Sequence, residues 1–304
     1  MKSLRRLTIG MIGAGNMGQA LIKGLLAAGV PARRLAAVET DPIMRRRVVR
    51  TYRVRIANLP QTAARSDVII VAVKPQDIAP VLAALRDALR RRRGPRPLVI
   101  SIAAGVTIAA IERRLGRIPV VRVMPNLAAK VGRAVSAVAP GRWTSPAHRA
   151  IARRIFECVG TVVELPQRLF DVVTAISGSG PAYFFLIFRA LRDAGVNEGL
   201  PKAVAERLAV QTALGAACLA DGLAGDLDTL MAQVASKGGT TEAALKVLAG
   251  RHLAEILQGG VAAATKRSKE LSSSPHLFEA AGRSRSSHSG GAKGGGKIDP
   301  SGHK

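Results

Sequence analysis

The apolar positions of the chain follow two patterns that meet near residue 166. In the first part, short continuous apolar runs alternate with stretches whose apolar residues recur every three or four positions. The runs at 7–12, 35–38, 54–56, 67–73, 98–102, 120–124, 135–140 and 160–165 predict strands. Val68-Ile-Ile-Val-Ala-Val73 is mostly β-branched, as a strand buried on both faces of a parallel sheet requires. Helices are predicted after Gly18, over 60–65, over 80–93, after Thr107 as N-cap, and over 145–158. Alternation of this kind implies a mostly parallel sheet covered on both faces.

Beyond residue 166 the strand-like runs stop. Helical periodicity extends over 171–194, 201–219, 227–234, 241–248 and 253–271, with a break predicted at Ser177-Gly178-Ser179-Gly180-Pro181. This half is too apolar to stand bare, which favours a helical dimer interface over a self-contained bundle. From Ser272 the composition turns to Ser, Gly, Lys and Arg, and a disordered tail is expected. The predicted organisation is an α/β domain over 1–166, an all-α domain over 167–271 and a tail over 272–304.

Composition narrows the picture. Apolar residues make up 48% and aromatics 3%, so the core must be aliphatic. The two cysteines, Cys158 and Cys218, lie in apolar, helix-like surroundings and read as reduced core residues of a cytoplasmic protein. Neither has metal-ligand spacing, and no metal is expected. No apolar run reaches the 18 or so residues of a membrane span, so no membrane partner is expected. The net charge of +26 is concentrated in the first 100 residues, at Arg45-Arg46-Arg47 and Arg90 to Arg93. Polyanion attraction is one reading. Without interleaved aromatics or a nucleic-acid motif, solvated arginine faces are the better one, and a nucleic-acid partner is not expected.

The first run ends in Ile12-Gly13-Ala14-Gly15-Asn16-Met17-Gly18, with G-x-G-x-x-G spacing between a strand and a helix. Gly13 permits the tight turn, Gly15 lets the backbone approach a pyrophosphate, and Gly18 lets the helix pack close. A Rossmann-type dinucleotide site follows. Glu39, 21 residues past Gly18, is placed to bind the adenosine ribose hydroxyls of NAD and to repel the 2′-phosphate of NADP. Arg45 to Arg47 could offset that repulsion. Ligands of such sheets lie at the carboxyl ends of the strands. Those ends are the glycine turn, Glu39, Ala72-Val73-Lys74-Pro75, Ala103-Ala104-Gly105 and Pro125-Asn126.

Two stretches in the helical half carry further chemistry. In Asp171-Val-Val-Thr-Ala-Ile-Ser-Gly-Ser-Gly-Pro-Ala-Tyr183, Thr174 and Ser177 share a helix face. In Val234-Ala-Ser-Lys-Gly-Gly-Thr-Thr-Glu242, a glycine turn enters a helix. Its N–H groups and hydroxyls could hold a carboxylate, or Thr240 or Thr241 could simply cap the helix.

With these stretches the chain resembles the pyrroline-5-carboxylate reductase family over roughly residues 7–271. The matching pieces, in order, are I-G-A-G-N-M-G, A-V-K-P-Q, S-I-A-A-G-V, V-R-V-M-P-N, D-V-V-T-A-I-S-G-S-G-P-A-Y and G-G-T-T-E-A. The resemblance implies hydride transfer from NADH or NADPH to a cyclic imino acid, giving L-proline, with NADH favoured by Glu39. It implies that Thr174 lies at the ring nitrogen, and that Ser236, Gly239, Thr240 and Thr241 hold the substrate carboxylate. It also implies a homodimer or higher homo-oligomer, with active sites near the helical interface. The chain departs from the family pattern at Lys237 before the Gly pair, at Leu127-Ala128 after Asn126, and at Asn58, which is shifted by one residue. Two alternatives remain open on the sequence: a reductase for another small imino or hydroxy acid, and a non-catalytic dinucleotide-binding paralogue.

Overall fold

A computed structural model describes residues 3–222 and 226–273 of the 304-residue chain. The order in the first half is β1 (Ile9–Ile12), α1 (Asn16–Ala27), β2 (Leu35–Val38), α2 (Pro42–Tyr52), β3 (Arg55–Ile56), α3 (Leu59–Arg65) and β4 (Val68–Val71). It continues with α4 (Ile78–Arg90), β5 (Leu98–Ser101), α5 (Ile108–Leu115), β6 (Val120–Met124), β7 (Ala134–Pro140), α6 (Pro146–Glu157) and β8 (Gly160–Glu164). The eight strands form one sheet in the order β3-β2-β1-β4-β5-β6-β7-β8. All neighbours are parallel except β6 and β7. All eight predicted strands therefore form. Strand order reverses between β1 and β4, which opens a crevice at their carboxyl ends.

Local chemistry starts the helices where the sequence changes character. Asp41 caps α2, accepting from the backbone N–H groups of Ile43 and Met44. Asn58 accepts from Gln61 N–H and caps α3, with Pro60 in the first turn. Thr107 caps α5 through Ala110 N–H. Ser145 and His148 form a reciprocal capping box at α6. Apolar side chains fill both faces of the sheet. One face packs Leu21 and Leu25 of α1 and Ile155 and Phe156 of α6 against Met11 and Ile70. The other packs Ile78, Leu82 and Leu85 of α4 and Ile111 of α5 against Ile69 and Val99, and Phe170 joins this layer from the helical half.

The second half comprises α7 (Phe170–Val173), a π turn (Thr174–Gly178), α8 (Gly180–Asn197), α9 (Lys202–Gly222), α10 (Leu227–Val234), α11 (Thr240–Gly250) and α12 (Leu253–Ser273). Helices α8 and α9 pack on each other, and α12 returns to α7 and the π turn. The predicted break at Ser177–Pro181 thus occurs earlier, as a π turn that begins at Thr174.

Three expectations need correction. Cys158 and Cys218 are free but are not core residues: Cys158 is half-buried at the end of α6, and Cys218 is exposed on α9. Cys158 packs only at the margin of the core formed by Ile155, Phe156 and Val159, whereas the apolar neighbours Leu214 and Leu219 of Cys218 are exposed. Ser272 is not in a tail, because α12 continues to Ser273 and the Ser272 hydroxyl bonds to Asp171. The remainder of the expected tail lies outside the described residues. The expectation of no membrane partner is not among these: Gln167–Asn197 and Lys202–Gly222 reach the length and mean hydropathy of a span, but both lie in the helical half for which the sequence favours a dimer interface. Run length does not reveal them because charged residues such as Arg189, Glu206 and Arg207 interrupt the apolar sequence. Finally, the cluster 90–93 is not uniformly a solvated face. Arg92 turns inward, its Nε donating to Pro95 O at 2.8 Å and its Nη1 to Ser66 O at 3.0 Å and to Ala63 O.

Arg92 thereby ties the 91–97 turn to the end of α3. Replacing it with alanine strands three carbonyl acceptors. Arg92→Ala is expected to lower unfolding free energy by about 1.5–3 kcal/mol, the value of hydrogen bonds to a charged donor. Urea unfolding at fixed protein concentration checks this, and a loss below about 0.5 kcal/mol, the size of an ordinary surface substitution, would contradict it.

Candidate functional site

The glycine turn leaves β1 and enters α1 beside the end of β4. Gly13 has φ +91°, and a Cβ there would stand 2.8 Å from the Ala72 carbonyl oxygen. Both constraints exclude a side chain. At Gly15 the opposite holds: a Cβ would meet nothing within 4 Å, so open space lies in front of the turn. Gly15 is also the N-cap of α1 and has no side-chain cap. The first-turn N–H groups of α1 are therefore available to an anion, with the helix dipole behind them. This cradle has the shape and the donors to hold a pyrophosphate, as a bound NAD(P)H requires.

Glu39 follows β2 at the edge of the cradle. Its Oε2 accepts from Ala14 N–H at 2.8 Å, and its Oε1 from Thr40 N–H at 2.7 Å and Asp41 N–H at 3.0 Å. The carboxylate braces the glycine turn, a role that sequence spacing does not reveal. It retains lone-pair capacity for a ribose hydroxyl. Arg45, Arg46 and Arg50 line a groove on the exposed face of α2 nearby, whereas Asn58 is engaged as the cap of α3.

Asn126 follows β6. Its Nδ2 donates to Ser177 Oγ at 3.3 Å, and its Oδ1 is buried with no hydrogen-bond partner. A buried acceptor left unpaired costs about 1–3 kcal/mol, so this oxygen favours a ligand that donates to it. Leu127, one residue on, is exposed at the start of a short helical turn.

A cleft of about 550 Å³ opens between the strand ends and the helical half. Pro75, Gln76, Ala104 and Gly105 form one wall, and Thr174, Ser179, Arg267 and Ser268 form the other. Of the residues predicted from sequence, the cleft brings together Pro75, Ala104 and Thr174. Gly105 ends one of the predicted strand-end segments, whereas Gln76, Ser179, Arg267 and Ser268 are not singled out by the sequence reading of the cleft. Arg267 and Ser268 lie on α12, more than 90 residues beyond Thr174, and no local signal links them to it.

Thr174 occupies the first position of the π turn, closed by Ser179 N–H donating to Thr174 O at 2.8 Å. Such turns recur at functional sites because they widen a helix locally. The Thr174 hydroxyl donates to Phe170 O at 2.7 Å. Its proton is committed, so the hydroxyl presents lone pairs. Just upstream, Asp171 Oδ1 accepts from Ser268 Oγ at 2.7 Å and Ser272 Oγ at 3.3 Å, which holds α12 against α7. Arg122 of β6 lies beneath, only 5% exposed, its guanidinium 4.9 Å from the Phe170 ring centroid. Burial pushes the Arg122 pKa down, and the Asp171 charge pushes it back up.

The Gly-Gly-Thr-Thr turn stands elsewhere. Gly239 is the N-cap of α11, with no side-chain cap, so neither Thr240 nor Thr241 caps the helix. Gly238 has φ +75° and donates its N–H to Glu242, which also pairs with Lys246 at 3.3 Å. The early N–H groups of α11 and the hydroxyls of Thr240 and Thr241 remain available, and Lys237 is exposed beside them. None of Ser236, Gly239, Thr240 and Thr241 lines the Thr174 cleft of the same chain.

Comparison with known proteins agrees with both halves. The family described as pyrroline-5-carboxylate reductase dimerisation matches residues 167–271, and the family described as NADP oxidoreductase coenzyme F420-dependent matches residues 8–105. The pyrroline-5-carboxylate reductase of Mycobacterium tuberculosis is 38% identical, over 88% of this chain and 97% of its own. The structure of a pyrroline-5-carboxylate reductase from Coxiella burnetii superposes with a TM-score of 0.83 at 35% identity, covering 88% of this chain and 99% of its own. The Plasmodium falciparum pyrroline carboxylate reductase with NADP bound has a TM-score of 0.78 at 26% identity, covering 89% and 100%.

The Asp171 contact gives a direct test of how the cleft is held. Asp171→Asn removes the charged acceptor of two serine hydroxyls and the counter-charge of buried Arg122. The expected loss is about 1.5–3 kcal/mol in urea unfolding at fixed concentration. An unchanged stability would show that α12 is held by packing alone.

Proposed function

Since the chain belongs to the pyrroline-5-carboxylate reductase family, it is an NAD(P)H-dependent reductase that converts 1-pyrroline-5-carboxylate to L-proline in proline biosynthesis, and we propose here how its residues divide that work. NAD(P)H, when bound, supplies a hydride to the imine carbon. The pyrophosphate rests on Ile12 to Gly18, and Ala72 to Pro75, Ala104 and Asn126 flank the nicotinamide end. Support comes from the open space before Gly15, the uncapped start of α1 and the unpaired Asn126 Oδ1.

Thr174 orients the ring nitrogen. The observation that carries this is its hydroxyl bond to Phe170 O, which leaves an acceptor facing the cleft. An acceptor suits a protonated ring nitrogen, whose N–H persists from the iminium to the amine. The proton on that nitrogen comes from water, since the hydroxyl is a poor acid and its own proton is committed. Thr174 therefore contributes through orientation and stabilisation of the reacting cation.

The substrate carboxylate is held by Ser236, Gly239, Thr240 and Thr241, with Lys237 adding positive charge. These residues lie off the Thr174 cleft of their own chain. A second copy supplies them, so that the Ser236–Thr241 turn of one copy completes the Thr174 cleft of the other. The chain homo-oligomerises, as its dimerisation half implies, and the unit we infer is a dimer joined through residues 167–271. The same reading divides the chain into a cofactor domain over 1–166 and a substrate and dimerisation domain over 167–271. A cytoplasmic location accords with the free thiols.

Among nicotinamide cofactors we infer a preference for NADH, carried by the Glu39 carboxylate, whose charge opposes a 2′-phosphate. The test is a steady-state assay with the cyclic imino acid, NADH and NADPH run side by side, on the native protein and on Thr174→Ala. Turnover should require the imino acid, and kcat/KM should be higher with NADH. The threonine variant should lose about tenfold or more in kcat while cofactor affinity is kept. An unchanged kcat would remove Thr174 from the chemistry, and a higher kcat/KM with NADPH would overturn the role of Glu39.

A further inference from the structure

At the opposite end of the sheet from the cofactor cleft lies a second concave site. The last turns of α4 and α5, with the turns leading into β5 and β6, enclose a hollow of about 360 Å³. Arg86, Arg90, Arg96, Arg113, Arg114 and Arg117 line it, and no carboxylate does. We propose that this hollow is a binding site for a small oligophosphate anion, either inorganic triphosphate or the triphosphate of a nucleotide.

Two of the six guanidiniums serve the helix ends. Arg96 Nη1 donates to Leu89 O at 3.0 Å, and Arg114 Nη1 donates to Ala110 O at 3.2 Å. A helix C-terminus is stabilised by cations within its last turn, which accounts for these two and not for the rest. Arg86 pairs with the exposed Asp87 at 3.1 Å. Among the described residues, Arg90 and Arg113 have no carboxylate partner. The proximity of the cluster is costly: the Arg114 pKa is lowered by burial and by the charge of Arg113. Guanidiniums gathered around one concavity repel each other, and a multivalent anion relieves that repulsion. Their planar forks also match phosphate oxygens bidentately.

The form of the site selects the ligand class. A single-stranded nucleic acid is held by an open groove with aromatic stacking platforms along it, whereas this hollow is confined between two helix ends. Its volume suits a phosphate chain with at most one nucleoside. Arg117 lies 5.3 Å from the ring centroid of Trp143, with Arg142 at 5.0 Å from the same ring. Trp143 is the chain's single tryptophan, so its fluorescence reports on an arginine of the hollow.

The experiment titrates inorganic triphosphate and, separately, ATP into the full-length protein with NAD⁺ saturating the cofactor cleft, at about 0.1 M salt, where long-range surface attraction is screened. Trp143 fluorescence and calorimetry are the readouts. One saturable site per chain is expected. Arg90→Ala/Arg113→Ala should weaken it about tenfold or more, given the strength of charge-assisted hydrogen bonds. Arg149→Gln/Arg153→Gln removes the same charge from α6 and should change the affinity less than about twofold. Equal affinity for the two ligands would assign recognition to the phosphate chain, and tighter ATP binding would add a nucleoside contact; either supports the site. Thermal melting confirms that both double variants are folded. The proposal is overturned by an absence of saturable binding of either ligand, by many weak sites per chain, or by equal weakening in both double variants.

Discussion

The helical half cannot be stable as one copy presents it. Phe184 and Phe185 of α8 are each nearly three-fifths exposed, and Leu208 and Leu214 of α9 and Ile256 of α12 are similarly uncovered. Large contiguous apolar surfaces of this kind are covered in functional assemblies. Burial stabilises by about 25 cal/mol for each Å² of apolar surface removed from water, so covering several helix faces contributes heavily to the stability of the assembled protein. Assembly is therefore part of folding here. In the proposed arrangement it also governs chemistry, because none of Ser236, Gly239, Thr240 and Thr241 lines the Thr174 cleft of its own chain.

The sheet half needs no such help. Its β-branched strands are buried on both faces, and α1, α3, α4, α5 and α6 close the two layers. What joins the halves is compact and polar. Phe170 enters the sheet's core, Arg122 lies against its ring, and Asp171 holds α12 through two serine hydroxyls. Thr174 is one turn away from this junction, so the rigidity of the sheet is passed to a side chain that lines the cleft. Pro75 and Gln76 of the cleft precede α4, and Ala104 and Gly105 precede α5, while the last turns of the same two helices border the arginine hollow.

Much of this is legible in the sequence because local patterns determine it. The run Val68–Val71 has no alternative to a buried parallel strand, and the glycines at 13, 15 and 18 have distinct steric duties that the backbone reproduces. The π turn is legible only as a break, since a widened turn leaves no periodicity of its own. Spacing puts Glu39 at the cofactor's edge, but its bond to Ala14 depends on how β2 meets the glycine turn. Arg267 and Ser268 are invisible in the sequence because only tertiary packing brings α12 to Thr174. Cys218 misleads because an apolar helix face looks the same whether its own chain covers it or not, and Cys158 because it sits at the end of a helix whose buried face stops just short of it. The arginines at 90–93 read as one solvated run, although Arg92 turns inward and Arg90 borders a hollow shared with α5.

In the dimer we propose, one active site is built from two copies of the chain. The most direct measurement co-expresses two differently tagged chains, one carrying Thr174→Ala and the other Thr240→Ala/Thr241→Ala, and assays the purified mixed dimer. Each parent homodimer should be nearly inactive. In the mixed dimer, the Thr174 of one chain meets the intact turn of the other, restoring one site of two and about half the native rate. A mixed dimer no more active than its parents would place both elements in the same chain and contradict a shared site.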